Sequence, residues 1–371
     1  MELRQGAVEN LVKPEADFWK GRSVLVTGHT GFKGAWLALW LAQLGARVHG
    51  YALAPPTSPC LFEAARIAEL LDSDMRADLA SLDALRSVLA RTQPEVVFHL
   101  AAQSLVRESY TDPLTTFSTN VMGTAHVLEA ARGVARIRAI VVVTTDKVYE
   151  NRESLHAYGE RDPLGGYDPY SASKAATEII VASYRSSFFS GPRARGPMLA
   201  TARAGNVIGG GDWAKDRLVP DALQCFHRGE PLRLRFPAAV RPWQHVLEPL
   251  SGYLRLAEAL LGPDGAKFAT AWNFGPAVED MASVEHVVTA LAALWGEGAR
   301  IERSTDVHPH EAGLLMLDSR AAHERLAWRP RWSLGQALAR TVVWQREWGA
   351  GADMQAATRA QIDDYMSTEP A

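Results

Sequence analysis

The chain has 371 residues, 47% of them hydrophobic and 22% charged, with a formal net charge of −3. That is enough apolar material for one large or two smaller globular domains, and the slight acidity excludes a general nucleic-acid binder, which carries a basic surface. Cys60 and Cys225 form neither a metal-ligand spacing nor a disulfide framework, no apolar run approaches the ~20 residues of a membrane helix, and Met1–Lys20 lacks the apolar centre of a signal peptide, so a cytoplasmic enzyme with no metal and no membrane partner is expected.

Residues 1–18 read as a loose tail. Arg22–Thr27 is a short β-branched run ending at a glycine, the pattern of a buried parallel strand. Phe32–Leu44 reads as a helix with Trp36, Leu37, Trp40, Leu41 and Leu44 on one face, closed by Gly45. Strands are then expected at Arg47–Leu53, Val96–Ala101, Arg138–Thr144 and Met198–Ala204. They alternate with helices at Leu82–Arg91, Thr115–Arg132 and Ser171–Phe189. Such alternation predicts an α/β fold: a Rossmann-type doubly wound parallel sheet over 19–204, joined by part of 241–262. After Gly205 the pattern breaks into Gly-, Pro- and Trp-rich loops between helices at Leu218–Arg228, Leu247–Leu261, Val284–Trp295 and Leu334–Trp348. Residues 205–371 are therefore expected to form mainly a smaller, mixed α/β substrate-binding domain interleaved with the first.

Gly28-His29-Thr30-Gly31-Phe32-Lys33-Gly34 lies between the first strand and the first helix. Gly28 suits a tight turn, Gly31 lets backbone approach a pyrophosphate, and Gly34 lets helix and strand pack closely. The helix N-terminus behind them offers free N–H groups to phosphates. A dinucleotide is therefore expected, with Thr30, Phe32 and Lys33 beside it. The second strand ends without the carboxylate that usually binds the adenine ribose, which leaves NAD and NADP both open; Asp78 is the candidate for that end.

Tyr170 and Lys174 stand four apart, on one face of a helix. An ammonium beside a phenol lowers its pKa, so a tyrosinate could take a proton from a hydroxyl. Thr145 and Asp146 follow the strand Arg138–Thr144, and ligands of such sheets bind beyond the carboxyl ends of strands. Thr145 can hydrogen-bond the same oxygen as Tyr170. Asp146 is a candidate general acid, or simply a turn cap.

Several motifs together resemble the extended short-chain dehydrogenase/reductase family. They are Val26–Gly34, His99-Leu100-Ala101-Ala102-Gln103, Thr119–Thr124, Thr145-Asp146-Lys147, Gly165–Tyr170, Arg203–Trp213, Arg241–Val246 and His308–Ala312, spanning nearly the whole chain. Lys147, the Gly209-Gly210-Gly211-Asp212-Trp213 segment and Arg241–Val246 point to the nucleotide-sugar 4,6-dehydratases, on the branch that acts on CDP-glucose.

The resemblance implies a redox-neutral reaction with tightly bound NAD. Tyr170 removes the C4 hydroxyl proton as hydride leaves to the cofactor. A base takes the C5 proton, Asp146 protonates the departing C6 hydroxyl, and the hydride returns to C6. Related enzymes acting on dTDP-glucose have a glutamate where this chain has Lys147. Lys147 is therefore either the C5 base, once neutral, or a positioning group for Asp146 or the sugar. By the same resemblance Leu79, Leu100, Ala101 and Ala102 belong to the cofactor site and Gln103 to the substrate site. Asn206, Arg217 and Arg241 are candidate donors to the substrate pyrophosphate. His308 and His310 would touch the nucleotide or cap a loop, without the ligand cluster of a zinc site. A 4-epimerase is the alternative within the family, but it needs no acid at C6. A binding protein without catalysis would not need Thr145, Tyr170 and Lys174 together. A homodimer through Thr115–Arg132 and Ser171–Phe189 is the family's usual assembly.

Overall fold

Strands β1 (Ser23–Thr27), β2 (Arg47–Ala52), β3 (Ser73–Arg76), β4 (Val96–His99), β5 (Ala139–Val143), β6 (Met198–Ala204) and β7 (Ala271–Phe274) pair in parallel in a single sheet. Their order is β7-β6-β5-β4-β1-β2-β3. The computed structural model describes residues 14–190, 196–303 and 313–369. Alternate residues of each strand enter different cores, as a period of two demands. Val24, Val26, Val96, Phe98, Val141 and Val143 face one side; Leu25, Val97, Ile140, Val142 and Leu199 face the other.

The longer helices are α1 (Phe32–Gln43), α2 (Leu82–Thr92), α3 (Gly123–Arg132), α4 (Pro169–Tyr184), α5 (Leu218–Arg228), α6 (Leu247–Leu261), α7 (Val284–Trp295), α8 (Leu334–Gly349) and α9 (Met354–Ser367). Helices α2, α3 and α4 cover the second face through Leu85, Val88, Leu89, Val127, Leu128 and Val181. Helices α1 and α6 cover the first face. Helix α1 is buried all round from Gly34 to Leu41, because α9 closes its outer side, where Trp40 meets Tyr365 edge-on. Buried Glu248 of α6 accepts from the Tyr365 hydroxyl at 2.8 Å and from the Trp332 N–H at 2.8 Å, pinning the C-terminal segment to the sheet layer. A separate, smaller core joins α5, α7 and α8 around Leu223, Phe226, Val287, Leu291, Leu338 and Trp243.

The doubly wound sheet is the one the sequence predicts. Strands β3 and β7 are additions: four-residue segments too short, and in β3 too polar, to announce themselves. The helix expected at Thr115–Arg132 is in three pieces: Pro113–Phe117, a π-helical turn Ser118–Met122, and α3. Asn120 in the π turn is buried, and its Nδ2 donates to Ser173 Oγ at 2.8 Å and to the Gln103 carbonyl at 2.9 Å. The strand order reverses between β1 and β4, and in such sheets the crevice at that reversal receives ligands.

Candidate active site

A cleft of about 1430 Å³ opens at the carboxyl ends of β1, β4 and β5 and runs on to α5. Its first end is made of backbone. Gly28 has φ of +75°, and a Cβ there would stand 2.6 Å from the Ala101 nitrogen. A Cβ on Gly34 would stand 2.1 Å from the Gly28 carbonyl oxygen, whereas one on Gly31 would meet nothing closer than 3.4 Å. Among the described residues no side chain caps the N-terminus of α1 at Gly31, which suits its first N–H groups to an anion. Thr30, Phe32, Lys33, Leu100, Ala101 and Ala102 line the same end, as do Asp78 and Leu79. Asp78 also caps its own turn, its Oδ1 accepting from the Ala80 N–H at 2.8 Å.

The centre is built by β5 and α4. Thr145 caps the 3-10 turn Asp146–Val148, and its hydroxyl donates to Asp146 Oδ1 at 2.9 Å. Lys147 Nζ reaches Asp146 Oδ1 at 3.5 Å and Asn206 Oδ1 at 3.4 Å. The Asp146 side chain is wholly buried, and among the described residues its Oδ2 has no hydrogen-bond partner. That oxygen faces Gly205, where a Cβ would come within 3.1 Å of it and 2.5 Å of the Pro242 ring. On α4, Asp168 caps the helix, its Oδ1 accepting from the Ser171 N–H at 2.9 Å, and so sets the rotation that points Tyr170 and Lys174 into the cleft.

The expected lowering of the Tyr170 pKa by Lys174 is not what this arrangement gives. Burial pushes the phenol up to about 12; a hydrogen bond with Thr145 pulls it down, and the Asp146 charge pushes it up again. Lys174 Nζ instead donates to the Val143 carbonyl at 3.1 Å, and burial brings its ammonium down to about 8. Lys33 joins the same centre. Burial, then the charge of Arg217, bring it down to about 7, with Asp146 opposing and Lys174 and Lys147 adding to the repulsion. Its side chain belongs to the reacting centre as well as to the glycine loop.

The far end is made of charged side chains. Arg217 donates to Asp212 Oδ2 at 2.9 Å and across the cleft to Ser104 Oγ at 3.0 Å. Arg241 is buried and donates to its neighbour's carbonyl, Val240 O, at 3.0 Å. Asn206, Arg217 and Arg241 all line the cleft. Gln103 lines it too, but its side-chain amide is committed to Leu105 O at 3.1 Å and Thr116 Oγ1 at 2.9 Å, and so braces the loop after β4. The cluster in which Asp216 accepts from Arg107 at 2.9 Å and Arg235 at 2.7 Å escapes sequence reading, because its members lie up to 109 residues apart. His308 and His310 lie outside the described residues. Among the described residues, no three His, Cys, Asp or Glu side chains are grouped to hold a metal, and no helix is long and apolar enough to cross a membrane.

The glycine loop, the turn after β5 and the Tyr-Lys face of α4 thus meet at one cleft. A family model described as GDP-mannose 4,6 dehydratase matches residues 25–341, and the chain belongs to that family. At the level of single proteins, the CDP-glucose 4,6-dehydratase of Salmonella typhimurium is 50% identical over 355 residues, covering 95% of this chain and 98% of that one. The UDP-glucose 4-epimerase of Mycolicibacterium smegmatis is 29% identical, covering 87% of this chain and 98% of that one. Among solved structures, the dTDP-glucose 4,6-dehydratase of Bacillus anthracis in complex with NAD superposes with a TM-score of 0.73 at 22% identity, covering 90% of this chain and 100% of that one. That likeness speaks to the fold alone.

Proposed function

We propose that this chain is a lyase that converts CDP-glucose to CDP-4-keto-6-deoxyglucose. The observation that carries the reading is the 50% identity to a CDP-glucose 4,6-dehydratase across nearly the full length of both chains. The gathering of Thr145, Lys147, Tyr170 and Lys174 on one cleft, with Asp146 just behind its wall, supports it.

The residues present fit NAD: the loop at Gly28 and Gly34 has no room for side chains, and the uncapped N-terminus of α1 suits a pyrophosphate. When bound, NAD supplies the acceptor for the C4 hydride, its return to C6, and a positive charge that favours the tyrosinate. Tyr170 holds the proton of the C4 hydroxyl as C4 becomes a carbonyl, and Thr145 hydrogen-bonds that oxygen. The C4 carbonyl acidifies the C5 proton, which a base of the centre takes; Lys147, once neutral, is the candidate. Asp146 is the acid proposed for the leaving C6 hydroxyl, and among the described residues its Oδ2 has no hydrogen-bond partner to hold it back from that role. Lys147 Nζ also bridges Asp146 and Asn206, so it has a positioning role open to it as well as the base role. Full elimination activity in Lys147→Ala would overturn both. Arg217 and Arg241 offer guanidinium groups to the pyrophosphate, and Arg217 exchanges Ser104 and Asp212 for it.

We also read the chain as a cytoplasmic homodimer. Leu114, Phe117 and Met122 on the first long helical stretch, with Ile179 and Phe188 on the second, are exposed apolar side chains, which suits helix pairing between copies. Two free thiols, Cys60 and Cys225, suit a reducing compartment. The function is tested by incubation with CDP-glucose, dTDP-glucose, UDP-glucose and GDP-mannose in parallel, with mass detection of water loss. Loss from CDP-glucose alone is expected. Loss from another substrate only would keep the reaction and overturn the base. No loss from any would move the reading to an epimerase.

A further inference from the structure

Glu178 takes no part in the steps above, yet it is held by four hydrogen bonds directly behind them. Its Oε1 accepts from Thr144 Oγ1 at 2.5 Å and Arg203 Nε at 3.0 Å, and its Oε2 from Thr201 Oγ1 at 2.7 Å and an Arg203 terminal nitrogen at 2.8 Å. Both Glu178 and Arg203 are 4% exposed. Glu178 stands one helical turn after Lys174 on α4, so the two share a face. Thr144 immediately precedes Thr145. One carboxylate thus touches the end of β5, the middle of β6 and the helix that carries Tyr170 and Lys174.

The charges around Lys174 are unbalanced. Lys33 faces it from α1, and His99 faces it from β4, held neutral by burial. Among the described residues no carboxylate forms an ion pair with Lys174, and its hydrogen-bond partner is the neutral Val143 carbonyl. Glu178 is the anion whose charge opposes the loss of the Lys174 proton. Glu178 is itself faced by Arg203 from β6 and Arg185 from the π-helical extension of α4. Burial pushes its carboxyl up, but Arg203, Thr144 and Thr201 outweigh burial and hold it below the usual range, so it is ionised.

We propose that Glu178 is a positioning residue for the reaction: its locked carboxylate keeps Lys174 in the ammonium form and ties the Thr144–Thr145 end of β5 to α4. The proposal rests on the dehydratase reading, in which the Lys174 ammonium lines the reacting cleft together with Tyr170. A merely structural Glu178 would change stability and leave the titration of Lys174 alone.

The test is a pH titration of the purified full-length chain carrying 13Cε-lysine. Seven lysines keep the spectrum sparse, and Lys174→Arg assigns the resonance. In Glu178→Gln the Lys174 midpoint is expected to fall by about one pH unit, and the basic limb of kcat to fall with it. Thr201→Val, which removes one tie and keeps the carboxylate, is expected to lower Tm and leave the midpoint in place. Glu178→Gln strands the buried Arg203. If that variant fails to fold, Glu178→Gln with Arg203→Met removes both charges together, and a smaller fall in midpoint in the same direction is expected, because the Arg203 cation is gone as well. An unmoved midpoint in a folded variant overturns the proposal, whatever happens to Tm. If the unaltered chain removes water from no nucleotide sugar, the dehydratase reading fails by itself. The midpoint then still decides whether Glu178 holds the Lys174 proton.

Discussion

The two ends of the cleft are built from different materials. The glycine-loop end is backbone: Gly28, Gly34 and the first turn of α1 touch one another so closely that no side chain fits. Its donors are main-chain N–H groups that no cap occupies. The far end is side chain, and its charges are already engaged with one another. Arg217 holds Asp212 and Ser104, while Arg107 and Arg235 share Asp216. A site made of uncapped backbone is ready before its ligand arrives. A site made of paired arginines has to exchange partners as an anion enters, and much of the gain from each new contact is offset by the one given up.

The sharpest way to break this comparison is at the rigid end. Gly28→Ala places a Cβ 2.6 Å from the Ala101 nitrogen on a backbone with φ of +75°. The left-handed conformation alone costs about 1–2 kcal/mol, and the clash adds to it. The expected outcome is complete loss of retained NAD, read from the cofactor content of the purified chain, with a lowered Tm. Normal cofactor content would mean that the loop yields, and that the rigid end is not rigid.

At the centre the expected losses are smaller but still large. Tyr170→Phe and Asp146→Asn should each lower product formation by about 10²–10⁴-fold with the fold retained, as removal of a general acid or base does. Circular dichroism and mass detection of water loss check the two halves of that statement. The pH dependence follows from Lys174. Its ammonium is complete well below about 8 and is lost as pH rises through that value. The rate should therefore fall across the same window, and a flat kcat profile up to pH ~10 would show that the charge of Lys174 is not required.

What was legible in the sequence follows the same division. The glycine loop, the Thr145-Asp146-Lys147 turn and the Tyr170–Lys174 pair are local: a spacing of three or four along the chain maps directly to one turn or one helix face. Glu178 with Arg203, and Asp216 with Arg107 and Arg235, are pairs made by the fold between distant segments, so no spacing announces them. Lys33 shows the limit of reading by motif. Its place beside the glycines was visible, but its approach to Asp146 and Lys174 depends on how α1 meets β5. Strand β3, Ser73–Arg76, is half exposed and polar at the sheet edge, and lacks the apolar run that marked β1 and β5. The π turn at Ser118–Met122 keeps a helical pattern in the sequence while turning Asn120 inward, which periodicity cannot register.

At the side-chain end, Arg217→Lys keeps the charge and loses the fork that spans Asp212 and Ser104. The substrate KM is expected to rise about tenfold, since a hydrogen bond to a charged group contributes about 1.5–3 kcal/mol, and kcat to change little. A kcat loss with unchanged KM would place Arg217 among the reacting groups.

The smallest expected effect tests the idea of exchanged partners most directly. Asp216 sits at φ of +62°, a conformation that asparagine tolerates, so Asp216→Asn removes the charge with little change of shape. Its ion pairs with Arg107 and Arg235 are partly exposed, and such pairs contribute about 0–1 kcal/mol, so Tm should barely move. Binding should move more than stability does. Without the Asp216 charge, both guanidinium groups are free to face the nucleoside diphosphate, and one repulsive charge is gone from beside a pyrophosphate. CDP affinity, measured by calorimetry, should rise a few-fold at low ionic strength. The gain should shrink in salt, because the interaction is partly screened. If CDP instead binds more weakly, Asp216 is a brace that aims its arginines, and the far end of the cleft is as preformed as the glycine loop.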